Sequence, residues 1–435
     1  MHHTTIIIGA GMAGIAAART LHDAGHAVKI LEARDRIGGR THTEQSLGFS
    51  NDLGAAWIHG PTANPMTSLA RRFGVSTLDT DFENRSGNAV MAFDADGSPI
   101  DMAEYTVGLR YFRGLYDRFF TSILYERPGE EVRSLADLLP LILAAGDDLS
   151  DAARKGFYYS SVIRAQYSDA ADLHEIDWRL SNRYVKLPGG DLLLPGGGYG
   201  RIVDCLAEGL TIETGVVVDR IEYGDSVRIL TNRGEERCDH AVITVPLGVL
   251  KAGSITFSPA LPTEKAAAIG RIGYGHYEKL ALKFPHRFWP LEPQRFSYLP
   301  GTQPELFTSW LNMARYCGEP VLVASHSGSR ARLTNRWDDE TIIREALIVL
   351  RKLFGPDVPA PVAHVRTDWE SDPFSRGSYS FSQVGGILGD RRTLAEPVCG
   401  RLFFAGEAVH SRYFGTVHGA YETGIRAARE VMRNA

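Results

Sequence analysis

The chain has 435 residues, more than one hydrophobic core usually holds, so two domains are expected. Its composition, 44% hydrophobic and 23% charged, is that of a globular protein, and a net charge of −5 argues against nucleic acid as the main partner. No apolar run reaches the ~18 residues a membrane span needs, and the apolar N-terminal stretch lacks the basic flank of a signal peptide.

Thr4–Ile8 is a short apolar run suited to a strand buried on both faces. The motif Gly9-Ala10-Gly11-Met12-Ala13-Gly14 follows at once, then a helical pattern to Gly25 and a second apolar run that ends in Glu32. This is a βαβ unit with the dinucleotide fingerprint in its required place. Gly9 allows the tight turn, Gly11 lets a pyrophosphate approach the backbone, and Gly14 lets the helix pack on the strand. Glu32 is placed to accept hydrogen bonds from a ribose. In the next segment, ARDRIGGRT, the Gly38-Gly39 backbone and Arg40 suit the pyrophosphate of an extended FAD; the alternative is a loop with exposed arginines.

Residues 81–189 read as largely helical, rich in aromatics and in both charges. The stretch 187–200, LPGGDLLLPGGGYG, reads as a crossing between domains, and Arg201 opens a helix that ends near Gly209. Alternation then marks strands, with a turn at Asn232-Arg233-Gly234. From His276 a further strand puts Leu280, Leu282 and Phe284 on one face and Tyr277, Lys279, Ala281 and Lys283 on the other. Lys279 then lies either on a solvated face or in a cleft where an amine has work to do. Near the end, a strand over Arg401–Ala405 leads through Gly406-Glu407 to a helix opening at Thr416 or Val417. Its small residues Ala420, Gly424, Ala427 and Ala428 make a close-packing stripe. It is either an ordinary core helix or one whose N-terminus favours the negative charge of a reduced isoalloxazine. The four cysteines, Cys205, Cys238, Cys317 and Cys399, are scattered without zinc spacing, which fits reduced thiols in a cytoplasm and no metal site.

These segments together resemble the FAD-dependent amine oxidases: monoamine oxidase, polyamine and spermine oxidases, and lysine-specific histone demethylase. The resemblance runs through GAGMAG, LEARDRIGGRT, DLGAAWIHG (52–60), LPGGGYGRIV (194–203), VITVPLGVLKAG (242–253), WESDPFSRGSYSF (369–381), LFFAGE and GTVHGAYETG, and so covers nearly the whole chain. It implies an α/β fold: a Rossmann-like, glutathione-reductase-like FAD-binding domain over 1–80, 190–268 and 392–435, with a second, α+β substrate domain over 81–189 and 269–391. By position, Ala13, Glu32, Arg34 and Arg40 match residues holding the ADP half of FAD, with Gly39 in the same loop. Val218 matches a backbone contact to adenine, and Ala56, Trp57 and Trp369 match positions at the flavin. Glu407, Thr416 and Val417 match ribityl and pyrimidine contacts. Lys279 matches a lysine that holds a water at flavin N5, Tyr379 one wall of the substrate cage, and His59 the histidine of the polyamine oxidases.

Departures narrow the expectation. Monoamine oxidase attaches its flavin to a cysteine where this chain has Ser378, so the FAD is expected to be non-covalent. Thr416 stands where monoamine oxidase has a second cage tyrosine, which leaves room for a longer amine. The demethylase carries a nucleosome-associated domain and a long helical insertion, and neither fits in 435 residues. The resemblance therefore implies a polyamine oxidase with an amine and dioxygen as partners, and the scattered cysteines suggest that it is cytoplasmic. Its products would be an aldehyde, a shorter amine and hydrogen peroxide. A polycation would call for acids along the tunnel, and Asp172, Glu175 and Asp177 are the candidates. His59 has an alternative role in capping the turn into Gly60-Pro61. The competing readings are a monoamine oxidase, an L-amino-acid oxidase with Arg164 or Arg183 clamping a carboxylate, and a flavin-binding scaffold or redox sensor without turnover.

Overall fold

The computed structural model describes residues 5–81, 84, 86–123, 132–181, 185–301 and 305–434, with side chains of 116–123 left aside. Thr4, which opens the first expected strand, and Arg183 lie outside the described residues. The protein is mixed α/β, with several sheets and helices.

Thr5–Ile8 is buried at every position, as its unbroken apolar run requires. The helix Met12–Asp23 carries the chain over to Val28–Leu31, which pairs parallel with the first strand. His240–Ile243, Leu402–Phe404 and Ile212–Glu213 complete a five-stranded parallel sheet. Three distant parts of the chain thus share one sheet. The helix Val417–Asn434 packs directly on Met12–Asp23, and a Cβ at Gly424 would lie 2.2 Å from the Ala13 carbonyl oxygen. Ala427 and Ala428 are fully buried in the same cluster. The small-residue stripe is therefore a close helix seam.

A second sheet is built from Ala363–Arg366, Tyr277–Lys283, Val321–Ser327, Ser309–Asn312, Arg295–Tyr298 and Val90–Phe93, antiparallel except for the last pair. Leu280, Leu282 and Phe284 meet the apolar face of helix Asp339–Phe354, which Asp338 caps by accepting from the Thr341 amide at 2.8 Å. The opposite face, through Ala281, packs on Leu47, Phe49 and Ala56. Both faces are covered, so the solvated-face reading of Lys279 is wrong.

The segment expected to be helical supplies Met102–Ile123, Leu135–Ala144, Asp151–Tyr158, one π turn at Tyr159–Ile163 and Arg164–Asp169. The helix expected from Arg201 starts earlier, at Gly198, and runs to Ala207. Its first amides are capped from far away: Tyr199 N donates to the Asp52 carboxylate at 3.1 Å and Gly200 N to Thr43 Oγ1 at 2.8 Å. Among the described residues no helix is long and apolar enough to cross a membrane.

Candidate active site

A cavity of about 1290 Å³ is lined at one end by the glycine turn and at the other by the six-stranded sheet. Gly9 adopts φ +105°, a conformation open to glycine, and a Cβ there would meet Thr244 Oγ1 at 2.8 Å. Gly14 does not line the cavity; a Cβ on it would lie 1.9 Å from the Gly9 carbonyl oxygen, which is the packing constraint expected of it. At Gly11, by contrast, a Cβ would approach only Gly38 O, at 4.0 Å, and the residue caps the helix without a side chain. The orphan amides of that first turn lie beside the cavity, as a phosphate would require.

Glu32, at the end of its strand, is held by two amides: Ala10 N donates to it at 2.7 Å and Arg34 N at 2.9 Å. Arg34 reaches across to Asp372 at 2.6 Å and Ser375 at 2.8 Å. Gly39, at φ +58°, lies against Gly11, where its Cβ would be 3.3 Å from that Cα. Ala13, Arg40 and Val218 line the same end. The residues present fit a dinucleotide.

Arg40 ties this end to the middle of the cavity, donating to Glu407 at 2.9 Å and to Ser378 O at 2.7 Å. Glu407 also accepts from Ser380 N at 3.2 Å, Ser380 Oγ at 2.6 Å and Gly415 N at 2.7 Å. Burial alone would raise its pKa, but Arg40, Ser380 and Arg391 outweigh burial and hold the carboxyl below its usual range. Thr416 caps the last helix, its Oγ1 accepting from Gly419 N at 3.0 Å, and with Val417, Ala56 and Trp57 it lines the middle.

Lys279 is 6% exposed and lines the cavity. Its Nζ donates to the carbonyls of Asp52 at 2.8 Å and Gly54 at 2.7 Å and lies 5.5 Å from the Trp57 ring centroid. Burial pulls it below the ordinary lysine range, and the Asp52 charge partly offsets that. The neighbouring Glu278 is buried too, and accepts from the Trp369 amide at 2.9 Å and Thr367 Oγ1 at 2.5 Å. That bond sets the position of Trp369 on the cavity wall.

The chamber beyond is aromatic. Tyr379 stacks obliquely on Tyr277 at 6.2 Å and donates from its hydroxyl to Tyr167 O at 2.6 Å; Tyr277 meets Tyr167 edge-on at 5.9 Å. His59 lines the same cavity, its Nδ1 2.6 Å from Asp191 Oδ1, while its cross-strand partner is Asp191 itself. Its Nδ1 is taken by Asp191 and the Gly60 amide donates to Gly190 O, so His59 is not a turn cap.

Every expected site residue except Gly14 therefore lines this cavity. The expected tunnel acids do not. Asp172 is taken up by Ser329, Glu175 by the Asp172 amide, and Asp177 by the amides of Arg179 and Leu180. Glu175 and Asp177 serve local turns, the usual use of such side chains, while Asp172 ties its segment to Ser329, 157 residues on. The acids that do line the chamber are Asp169 and Asp191. Asp169 was missed, as were Tyr167, Tyr277 and Arg295. Only Tyr277 carried a sequence signal, its shared strand face with Lys279. Arg164, the candidate carboxylate clamp, also lines the cavity.

A large cavity joining a glycine turn to a buried lysine and an aromatic chamber, in an α/β fold, is the architecture of an oxidoreductase that uses a bound cofactor. Residues 12–432 match the family described as flavin containing amine oxidoreductase, and the chain belongs to that family, whose cofactor is FAD. It is 35% identical over 440 residues to polyamine oxidase 2 of Arabidopsis thaliana, covering 98% of this chain and 87% of that protein. Similarity to polyamine oxidase 3 of Oryza sativa subsp. japonica is also 35%, over 439 residues, with 98% and 88% covered. It is 34% identical over 452 residues to lysine-specific histone demethylase 1 homolog 3 of the same rice, covering 100% of this chain but 54% of that protein. The chain thus spans about half the length of the demethylase homologue it matches.

Proposed function

We propose that the protein oxidises the C–N bond of an amine with non-covalently bound FAD, and that the amine is a polyamine or another elongated amine. The observation that carries this reading is Lys279. A lysine buried between two carbonyls and a tryptophan, on the wall that Tyr379 shares, is costly unless a cofactor and substrate use it. Its proposed role is to hold a water at the flavin. The parallel sheet is read as the core of a Rossmann-like, glutathione-reductase-like FAD domain over 1–80, 190–268 and 392–435, with 81–189 and 269–391 forming the substrate domain.

When bound, FAD supplies the two-electron chemistry, and dioxygen regenerates it with release of hydrogen peroxide. The protein's own residues act around that step. The reacting nitrogen needs a free lone pair, yet an alkylamine has a pKa near ~10.4. Tyr167, Tyr277 and Tyr379 exclude water from the chamber and so disfavour the ammonium form. His59, oriented by Asp191, offers Nε2 to a substrate nitrogen. Ser378 Oγ exchanges hydrogen bonds with Tyr277 N and O, at 2.7 and 3.0 Å, and none of the four cysteines lines the cavity; both support non-covalent attachment. The cysteines are also free, which supports a cytoplasmic setting.

Arg164 and Arg295 on the cavity wall favour one second reading, an amino-acid oxidase. A peroxide assay with spermine, spermidine, their acetylated forms, simple alkylamines and L-amino acids separates the two. The polyamine reading expects the highest kcat/KM among the polyamines; a simple alkylamine or an amino acid ahead of them defeats it. Acid precipitation should release a yellow supernatant with an FAD spectrum, and flavin left in the pellet would contradict non-covalent binding.

A further inference from the structure

We propose that Arg295 receives the far, non-reacting end of the substrate, and that this end is an oxygen acceptor, a carboxylate or the carbonyl of an acylated nitrogen, rather than a second ammonium. The assignment rests on the amine-oxidising reading above. Arg295 opens the strand Arg295–Tyr298. Side chains alternate between the faces of a strand, and the neighbouring Phe296 goes into the core shared with helix Asp339–Phe354. Arg295 points the other way and lines the cavity, although it is only 6% exposed.

Lys279 lies on the same face of the same sheet. The register leads from Lys279 across to Ser325, two residues along to Val323, then across to Leu311 and on to Arg295. All of these residues line the cavity. The strands of Lys279 and Arg295 are three spacings apart in the sheet, roughly 14 Å. An α-amino acid carries its carboxylate on the carbon that reacts, whereas an elongated amine lying along this strip carries its far end toward Arg295.

The surroundings of Arg295 are aromatic. Its guanidinium carbon lies 4.7 Å from the Tyr159 ring centroid. The groups that act on the nearby hydroxyls of Tyr105 and Tyr277 are Tyr159, Ser297, Ser325 and Arg295, with no carboxylate among them. A second ammonium brought to this wall would meet a like charge where little water screens it. A carboxylate or amide oxygen would instead accept a charge-assisted hydrogen bond, and the fixed fork of a guanidinium suits planar oxygen groups.

The test uses FAD-loaded protein reduced with dithionite, which can bind amines without oxidising them, and reads affinity by calorimetry. The probes n-octylamine, 1,8-diaminooctane, 8-aminooctanoate and N-acetyl-1,8-diaminooctane share one carbon chain and differ at the far end. The wild type should bind the carboxylate or the acetamide about tenfold or more tighter than the diamine. The carboxylate in the lead identifies an acid as the far end and the acetamide in the lead an acylated amine; both support the assignment. Arg295→Met removes the charge and should cut that advantage about tenfold, while the affinity for octylamine moves less than about threefold. Arg295→Lys keeps the charge and should retain a preference for the carboxylate over the diamine. A wild type that prefers the diamine or ranks the four probes alike, a Met variant with the advantage intact, or a Lys variant that has lost the preference overturns the assignment. A wild type that yields no peroxide from any amine in air overturns the amine-oxidase reading instead, and the binding order still judges Arg295.

Discussion

At the nucleotide end and middle of the cavity, each buried carboxylate is fully engaged. Glu32 takes two backbone amides, and Glu407 takes Arg40, two groups of Ser380 and the Gly415 amide. In the aromatic chamber Asp169 receives no hydrogen bond from any described residue. The same desolvation acts at both places, and the outcome is opposite: Glu407 is held below its usual range, while Asp169 is pushed up to about 7. Groups that hold a resident cofactor are satisfied by the protein. Asp169, which lines the cavity, keeps unmet hydrogen-bonding capacity.

The sharpest way to break this comparison is a pair of isosteric changes. Glu407→Gln leaves Arg40 buried without its counterion and should cost ~3–5 kcal/mol of unfolding free energy, seen as a lower urea midpoint. Asp169→Asn removes a half-buried charge that accepts no hydrogen bond from a described residue, and should leave stability within ~1 kcal/mol of the wild type or raise it. Equal losses in the two variants would erase the distinction. At the glycine turn, Gly14→Ala drives a methyl into Gly9 O, and flavin retained through purification should fall about tenfold or more. Gly270→Ala is the control, because a Cβ there meets nothing and the site lies inside helix Thr263–Arg271; it should gain ~0.5–1 kcal/mol. Normal flavin content in Gly14→Ala would show that the turn yields more easily than its geometry implies.

Lys279→Met probes the junction of the two regions. Flavin should stay bound, while one half-reaction, reduction or reoxidation, slows by roughly tenfold or more in stopped flow. Unchanged rates in both would reduce the lysine to a strut between Asp52, Gly54 and Trp57.

The two ends were also unequally legible in the sequence. Gly9 to Glu32 is one contiguous βαβ unit, so local periodicity and glycine spacing suffice to read it. Lys279 was legible by contradiction, a charge on a strand whose two faces both turned out buried. The chamber offered no such pattern. Tyr167 reaches Tyr379 across 212 residues, and His59 reaches Asp191 across 132. Asp169, Asp172, Glu175 and Asp177 look alike as a run of acids. The first lines the cavity, Glu175 and Asp177 close local turns and Asp172 holds distant Ser329; the chain turns left-handed at Ala170 between the first and the rest, and an alanine gives no sign of that conformation.

The last effect expected is a difference in slope, in the pH dependence of stability, and it sharpens the same contrast. The Asp169 carboxyl rises from an ordinary 3.8 to about 7 on folding, and that of Glu278 rises from 4.5 to about 7, both by burial. For each, the folded state holds its proton more tightly, so the stabilisation is complete below the unfolded pKa and is lost as pH climbs from about 4 to about 7. Glu407, depressed on folding, works the other way, its contribution present above the unfolded pKa and lost as pH falls. Asp169→Asn deletes one downward slope and leaves Glu278 and Glu407 in place. Between pH 5 and pH 8 the apo-protein's urea midpoint should therefore fall less, or rise more, in the variant than in the wild type. Parallel pH profiles would mean that Asp169 keeps an ordinary carboxyl in the folded protein, already matched by a charge such as that of Arg391, and the contrast with Glu407 would lose its electrostatic support.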